Sequence, residues 1–286
     1  METKIISGTE IANKLKSEIK EKVSKLAKKP CLAVIIVGNN PASQIYVKNK
    51  EKACQKCGIK SLKYELPEII SEDELVNLIK ELNNNSEVNG ILVQLPLPKQ
   101  INDKTIIRTI SPEKDVDCFN GINVGNLFIG DYDVEKSLLP CTPKGCLKLI
   151  KSAIGDNLDG KNVCIVGRSN IVGKPMAQLL LNENCTVKVV HSKTKNLKEE
   201  CLWADILVVA IGKAKFITED MVKDGAVVID VGINRTDNGL CGDVDFENVI
   251  KKVSYITPVP GGVGPMTIAC LMENVYNAFC NQNDID

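Results

Sequence analysis

Residues 162–175 read NVCIVGRSNIVGKP, and this stretch decides the fold of the second half of the chain. Its apolar beginning has the length of a buried strand, and a glycine-containing turn precedes a predicted helix over about 172–183. Similar apolar runs occur further along the chain at 186–190, 205–212, 226–232 and 255–257. Strands that alternate with helices in this way predict a parallel sheet covered on both faces.

The first half of the chain shows the same alternation. Apolar runs at 31–37 and 90–95 predict buried strands, and a helix over about 43–57 separates the first from a strand near 62–66. Ser71 begins a capping-box pattern ahead of a further amphipathic helix. The chain is therefore predicted to be an α/β protein with a mostly parallel sheet in each of two domains, which its 286 residues also favour.

The boundary between the domains is predicted near residues 138–143, where Thr142 and Pro143 look like the N-cap and first residue of a helix. We assign residues 1–141 to the first domain and residues 142–265 to the second. The final helix, over 266–286, is expected to pack back on the first domain.

Charge and composition exclude several classes of function. Lys plus Arg and Asp plus Glu are equal at 36 each, which argues against a broad nucleic-acid surface. Apolar runs are too short to span a membrane, and the N-terminus lacks a signal-peptide core, so a cytoplasmic protein is expected. His191 is the only histidine in the sequence, which excludes a metal site with two His ligands. We predict no metal.

Twelve cysteines are scattered mostly within apolar segments, where cysteine acts as a small hydrophobic residue. Cys54 and Cys57 form a single CxxC pattern on a predicted helix, which we interpret as structural. This usage fits a reducing compartment.

The turn at 167–175 could hold a phosphate, because its backbone N–H groups and the following helix N-terminus carry positive partial charge. Its spacing is not that of the general dinucleotide fingerprint, so the turn by itself could equally be a structural one. The next strand ends at His191 and Ser192, followed by lysines and no acid. Arg168 and Ser192 would suit a 2′-phosphate, which favours NADP over NAD.

Polar residues in the first domain could form a second site. Ser43, Tyr46 and Lys50 have the 3 and 4 spacing that places them on one helix face. A lysine there could act as a general acid or base if burial lowered its pKa. Gln94 follows a buried strand and Asp117 lies in a loop. Spacing alone also allows a solvated lysine, an amide bonded to its loop and a turn-capping aspartate.

Residues 257–267, TPVPGGVGPMT, predict a specific loop before the last helix, at the strand ends where open α/β sheets bind ligands.

Eight segments together resemble the bifunctional methylenetetrahydrofolate dehydrogenase/cyclohydrolase family, in order along nearly the whole chain. They are YVKNK (46–50), VQLPLP (93–98), PEKDVD (112–117), PCTPKG (140–145), GRSNIVGKP (167–175), HSKT (191–194), DVGIN (230–234) and TPVPGGVGPMT (257–267). The resemblance implies a folate-binding catalytic domain, a Rossmann-like NADP-binding domain and a cleft between them, usually in a cytoplasmic homodimer. It implies NADP-dependent oxidation of 5,10-methylenetetrahydrofolate and hydrolysis of the 5,10-methenyl product to 10-formyltetrahydrofolate, within one-carbon metabolism and purine biosynthesis.

The resemblance also implies a role for each matching residue. Lys50 would be the main catalytic residue, Tyr46 would stack on the folate near Ser43, Gln94 would orient Lys50, and Asp117 would hold the pterin. The residues expected to contact NADP are Thr142, Gly167, Arg168, Ser169, Ser192 and Ile233. Those expected to line the folate side are Pro260, Gly261 and Gly262.

One residue departs from the family pattern. The family commonly has glycine after the second aspartate of DVD, whereas this chain has Cys118. If that glycine has a positive φ, Cys118 would be strained or its loop would shift.

The residues also leave alternative functions open. The chain could be a dehydrogenase without the hydrolytic step, one that uses NAD, or a catalytically silent nucleotide-binding subunit. The presence of Lys50 and Gln94 argues against the first, and the missing acid after Val190 argues against the second. A shikimate-type oxidoreductase does not account for VQLPLP and PGGVGP.

Overall fold

A computed structural model describes residues 3–237 and 239–285 and shows a two-domain α/β fold. Its strands are β1 (Lys4–Ile5), β2 (Cys31–Val37), β3 (Lys60–Leu66), β4 (Gly90–Val93), β5 (Asn162–Val166), β6 (Thr186–Val190), β7 (Ile206–Val209), β8 (Val227–Asp230), β9 (Asn234–Thr236), β10 (Gly239–Cys241) and β11 (Tyr255–Ile256). Its α-helices are α1 (Gly8–Ser24), α2 (Pro41–Cys57), α3 (Glu72–Asn84), α4 (Asp103–Thr109), α5 (Gly121–Ile129), α6 (Cys141–Ile154), α7 (Gly173–Asn182), α8 (Leu197–Leu202), α9 (Phe246–Val249) and α10 (Val263–Gln282). Short 3₁₀ turns lie at Pro112–Lys114 and Glu219–Met221.

The chain divides into two compact units, which we name by their sheets. Of the described residues, the three-stranded unit contains 13–141 and 268–285, and the six-stranded unit contains 3–12, 142–237 and 239–267. The sequence predicts residues 1–12 in the first domain, and the structure differs. Strand β1 forms parallel backbone hydrogen bonds with the edge of β11. This pairing joins the N-terminal segment to the six-stranded unit.

The three-stranded unit has a parallel sheet in the order β3-β2-β4. All seven residues of β2 are buried, which explains why its sequence is a continuous apolar run. The predicted capping box begins α3, where Ser71 Oγ accepts from the backbone N–H of Glu74 and the Glu74 carboxylate accepts from that of Ser71. Because β3 and β4 lie on opposite sides of β2, the strand order reverses at β2, and ligands of open α/β sheets bind at such a point.

The six-stranded unit has a parallel sheet in the order β1-β11-β8-β7-β5-β6, and β9 and β10 form a separate antiparallel hairpin. Its strand order reverses at β5, which lies between β6 and β7. The carboxyl ends of β5 and β7 are therefore the expected ligand-binding edge.

The last helix begins at Val263, three residues before the predicted start. The glycines and the proline of GGVGP do not delay it, because a proline in the first helical turn lacks only an N–H that would have no partner within the helix. The predicted end at Asp286 lies outside the described residues. Among the described residues, no helix is long and apolar enough to cross a membrane.

Candidate active site

The central contact of the three-stranded unit joins two predicted residues. Lys50 on α2 donates from Nζ to Gln94 Oε1 at 3.0 Å. Gln94 directly follows β4, and its Nε2 donates to the carbonyl oxygen of Leu95 at 2.8 Å, which fixes the amide with its oxygen toward the lysine. Helix α2 follows β2, the central strand at which the order reverses, and Gln94 follows its neighbour β4.

Helix α2 presents the predicted face. Asn40 caps the helix by accepting from the backbone N–H groups of Ala42 and Ser43 at 3.0 and 3.1 Å. Ser43 is buried, Lys50 is half-buried, and Tyr46 keeps 42% of its surface exposed. An aromatic ring left exposed one helical turn before a hydrogen-bonded lysine is available to stack against a flat ligand.

Asp117 is electrostatically connected to the same site. Burial raises the pKa of its carboxyl group, while the positive charge of Lys50 and a hydrogen bond from the Cys141 thiol act in the opposite direction. The preceding Val116 carbonyl oxygen accepts from Asn274 Nδ2 at 2.8 Å, which ties the loop to α10. Asn274, which the sequence did not reveal as important, therefore helps to hold the loop that carries Asp117.

Cys118, which stands where the family commonly has glycine, has the strained backbone that the sequence predicts. Its φ is +60°, in the left-handed region, and its side chain is buried. The thiol donates to the carbonyl oxygen of Leu138 at 3.2 Å. Left-handed backbone costs a non-glycine residue about 1 to 2 kcal/mol, and the buried thiol offsets part of that cost through its contacts.

We expect Cys118→Gly to change the activity of the protein by less than about tenfold and to leave its unfolding free energy nearly unchanged, because released strain offsets the lost thiol contact and the greater freedom of the unfolded chain. Steady-state kinetics and urea unfolding measure the two effects. Cys118→Ala is the matched control, since it keeps the Cβ and the strain but removes the thiol. A larger change in Cys118→Gly would show that the loop is organised differently, and the same change in Cys118→Ala would trace it to the thiol.

Asp115 gives the same loop a dependence on pH. Burial raises the pKa of its carboxyl group to about 6, and the negative charge of Asp117 acts in the same direction. Its Oδ2 accepts from the backbone N–H of Asn120 at 2.7 Å and from Asn123 Nδ2 at 3.2 Å. Both hydrogen bonds reach one oxygen, so an asparagine could keep them through its own carbonyl oxygen.

We therefore expect the parent protein to lose unfolding free energy relative to Asp115→Asn as pH rises from about 4 to 7. Well below the ordinary Asp pKa of 3.8 the folded and unfolded carboxyl groups are both protonated, and above the folded pKa of about 6 the full cost of a buried charge is present. The rise in the Asp115 pKa from 3.8 to about 6 corresponds to a loss of about 2 to 3 kcal/mol of unfolding free energy. Urea unfolding of both proteins across this range measures it, and parallel pH profiles would contradict it.

In the six-stranded unit, two glycines shape the turn after β5. Gly167 has φ +126°, and a Cβ there would overlap the carbonyl oxygen of Ala210 after β7. A Cβ on Gly173, the first residue of α7, would overlap the carbonyl oxygen of Gly167. Neither position admits a larger residue, so the turn runs close to the end of β7 and leads directly into α7, and a turn of this kind at a helix start can bind a phosphate.

The polar residues expected to contact NADP lie at the ends of neighbouring strands. Arg168 and Ser169 follow β5 and Ser192 follows β6, and all three are exposed. Ser169 Oγ accepts from the backbone N–H of Val172 at 3.2 Å, which holds the turn closed. Two cationic lysines and no acid follow Ser192 over residues 193–195. This donor set fits a 2′-phosphate better than a ribose hydroxyl.

Two further predicted cofactor residues are placed by local contacts. Ile233 follows β8 with 46% of its surface exposed, and a Cβ on Gly264 would be in ordinary contact with its Cδ1, at 3.7 Å. Thr142 in the first turn of α6 shares a hydrogen bond with Thr267, with 3.0 Å between the two Oγ1 atoms.

The loop expected to line the folate side is fixed from within its own unit. Gly261 has φ +105°, and its carbonyl oxygen accepts from the backbone N–H of Thr9 at 2.9 Å. Pro260 is exposed and Gly262 is buried.

The cysteines play no part in this geometry as a redox or metal pair. Burial raises the pKa of Cys54 to about 12 and that of Cys57 to about 11, so neither is a reactive thiolate. Within the described ranges, no group of three His, Cys, Asp or Glu side chains is arranged to hold a metal ion.

Two segments of the chain match the two domains of one protein family. Residues 6–117 match the sequence model "Tetrahydrofolate dehydrogenase/cyclohydrolase, catalytic domain", and residues 140–283 match "Tetrahydrofolate dehydrogenase/cyclohydrolase, NAD(P)-binding domain". The chain is 58% identical over 279 residues to the bifunctional protein FolD of Agathobacter rectalis, with 96% of this chain and 98% of that one covered. It is 56% identical over 282 residues to the bifunctional protein FolD of Campylobacter hominis, with 97% and 98% covered.

Solved structures agree with the sequence matches. The bifunctional FolD enzyme of Campylobacter jejuni superposes with a TM-score of 0.94 at 52% identity, covering 98% of this chain and 99% of that one. The Trypanosoma brucei methylenetetrahydrofolate dehydrogenase-cyclohydrolase, solved with NADP and an inhibitor, superposes with a TM-score of 0.92 at 36% identity over 98% of each chain.

Proposed function

This chain belongs to the tetrahydrofolate dehydrogenase/cyclohydrolase family, and from that premise we propose that it catalyses two consecutive reactions on reduced folate. It oxidises 5,10-methylenetetrahydrofolate with NADP⁺ and then hydrolyses the 5,10-methenyl product to 10-formyltetrahydrofolate. The observation that carries the proposal is the 3.0 Å hydrogen bond between Lys50 Nζ and Gln94 Oε1 at the end of β4.

The two reactions make different demands on the protein. In the first, a hydride leaves the methylene carbon and the cationic methenyl group remains, so no proton has to move. NADP⁺ bound to the six-stranded unit supplies the hydride acceptor. The turn at Gly167, with Arg168, Ser169 and Ser192, would hold its phosphates, and Thr142 and Ile233 would make further contacts. The protein's task in this step is positioning.

The second reaction needs a proton acceptor. Water adds to the methenyl carbon, a C–O bond forms, the bond from that carbon to N5 breaks, and one proton is released in the balance. In its neutral form Lys50 would accept that proton and pass it on, while the Gln94 amide oxygen holds its Nζ by accepting a hydrogen bond. An ionised Asp117 would accept hydrogen bonds from the pterin, while Tyr46 would stack on the folate beside Ser43. Pro260, Gly261 and Gly262 would line the folate.

These residue roles, the functional assignment of residues 1–141 and 142–265, a homodimer and a cytoplasmic location all belong to the proposal. The twelve cysteines are all described and none is in a disulfide, which supports a reducing compartment. Light scattering on the purified protein measures the oligomeric state directly.

A two-stage optical assay tests the function. Purified protein receives 5,10-methylenetetrahydrofolate with NADP⁺ or NAD⁺ while the reduced cofactor is followed, and then methenyltetrahydrofolate alone. We expect reduction of NADP⁺ in preference to NAD⁺, and methenyl consumption faster than in buffer. Reduction without hydrolysis would contradict a bifunctional enzyme, and folded protein with neither activity would overturn both halves of the proposal.

A further inference from the structure

A buried carboxylate that the predicted site did not include lies beneath the carboxyl edge of the six-stranded sheet. Asp243 has no exposed surface. Its Oδ2 accepts from the backbone N–H groups of Ile211 and Gly212 at 2.7 and 2.9 Å. Its Oδ1 accepts from the backbone N–H of Lys213 and from Asn234 Nδ2, both at 2.8 Å.

These four hydrogen bonds join the two loops that border the proposed cofactor position. Ile211, Gly212 and Lys213 follow β7, directly after Ala210, whose carbonyl oxygen packs against Gly167. Asn234 follows β8 and is the neighbour of Ile233.

The surrounding residues are shaped to admit this carboxylate. A Cβ on Gly232 would overlap the Asp243 carboxyl group, which explains the glycine in DVGIN. The first aspartate of that motif, Asp230, is also buried and accepts from the backbone N–H of Asp243 at 2.9 Å and from that of Val244 at 2.9 Å. Asp230 thus holds the backbone that carries Asp243.

We propose that Asp243 is a positioning residue for NADP, which fixes the loops after β7 and β8 in the arrangement that the cofactor requires. A carboxylate has about four acceptor positions, and protein donors occupy all of them, so Asp243 has none left for a ligand. It acts through the loops and is not itself catalytic. The inference rests on the proposed function, because it assigns the cofactor edge to NADP.

Asp243→Asn is the sharpest test because the amide cannot satisfy both loops. Whichever way it is turned, its NH₂ group faces two donors, either those of Ile211 and Gly212 or those of Lys213 and Asn234. We expect the Kd for NADP⁺, measured by calorimetry, to rise about 10- to 100-fold, with a parallel loss of dehydrogenase kcat/KM. Hydrolysis of methenyltetrahydrofolate should stay within about threefold of the parent, since Lys50 and Gln94 belong to the other unit.

Asp205→Asn is the matched control. Asp205 lies at the amino end of β7, the strand whose carboxyl end leads into the loop that Asp243 holds. Asp205 precedes β7, accepts from the backbone N–H of Asn162 at 3.0 Å and pairs with Lys223 at 2.6 Å. It should alter stability without moving the Kd for NADP⁺ by more than about twofold. An equal weakening of NADP⁺ binding in Asp205→Asn would show a general effect of destabilisation and would overturn the role of Asp243.

Asn234→Ala keeps the inference testable should Asp243→Asn fail to fold. It removes one of the four donors, and we expect a smaller rise in Kd, about threefold to tenfold, with hydrolysis unchanged. Parent-like NADP⁺ binding in a folded Asp243→Asn, or in Asn234→Ala alone if that is the variant that folds, would overturn the inference. A parent protein without either activity would instead overturn the proposed function, so the two failures are distinguishable.

Discussion

We expect the Lys50→Gln variant to lose hydrolysis of methenyltetrahydrofolate by about 10²- to 10⁴-fold, the range that a positioned proton-transfer group contributes. A glutamine amide neither accepts nor returns a proton at neutral pH, so water attack at the methenyl carbon would lack its base. The measurement is the decay of methenyl absorbance after subtraction of the rate in buffer, because the substrate also hydrolyses without enzyme.

Binding of NADP⁺ should survive the same substitution. The residues proposed to hold the cofactor belong to the six-stranded unit, whereas Lys50 donates to Gln94 within the three-stranded unit. Lys48→Gln on the same helix is the matched control, because Lys48 is exposed and its substitution removes the same charge. If Lys50→Gln hydrolysed the substrate at a rate within about threefold of the parent, the catalytic role of Lys50 would be wrong.

Much of this fold could be predicted because its strands are buried on both faces. The run CLAVIIV has no polar residue to interrupt it, and its strand Cys31–Val37 has the predicted bounds. Helix α5 was not predicted, because GINVGNLFI has apolar residues on more than one face and leaves Phe128 and Ile129 exposed. Its sequence therefore lacks the one-sided pattern of a surface helix.

The two parts of the site differ in what sequence could reveal. The 3 and 4 spacing placed Ser43, Tyr46 and Lys50 on one helix face, but only the family resemblance connected Lys50 to Gln94, 44 residues away. Asp243 gave no such signal, because three of its four donors are backbone N–H groups, which every residue except proline carries. The local signs of a close approach were Gly232 and Gly242, where a Cβ would overlap the carboxyl groups of Asp243 and Asp230.

We expect Gly167→Ala to weaken NADP⁺ binding by about 10- to 100-fold. The new Cβ would overlap the carbonyl oxygen of Ala210, so the turn after β5 must move away from β7 at the point where the strand order reverses. Its φ of +126° adds strain of about 1 to 3 kcal/mol for any residue with a side chain. Dehydrogenase kcat/KM should fall with binding, and methenyl hydrolysis should remain.

Gly155→Ala separates the effect of steric overlap from the effect of backbone strain. Gly155 belongs to the same unit and has φ +88°, but a Cβ there meets no atom within 4 Å. It should therefore lose about 1 to 2 kcal/mol of unfolding free energy and bind NADP⁺ as the parent does. Calorimetry with NADP⁺ on the parent and both variants decides the matter. Equal weakening in the two variants would mean that backbone strain spreads through the unit, whereas parent-like binding in Gly167→Ala would remove the turn after β5 from the cofactor site. Weakening confined to Gly167→Ala would tie NADP⁺ affinity to the close approach of Gly167 and Ala210, the same edge that Asp243 holds from below.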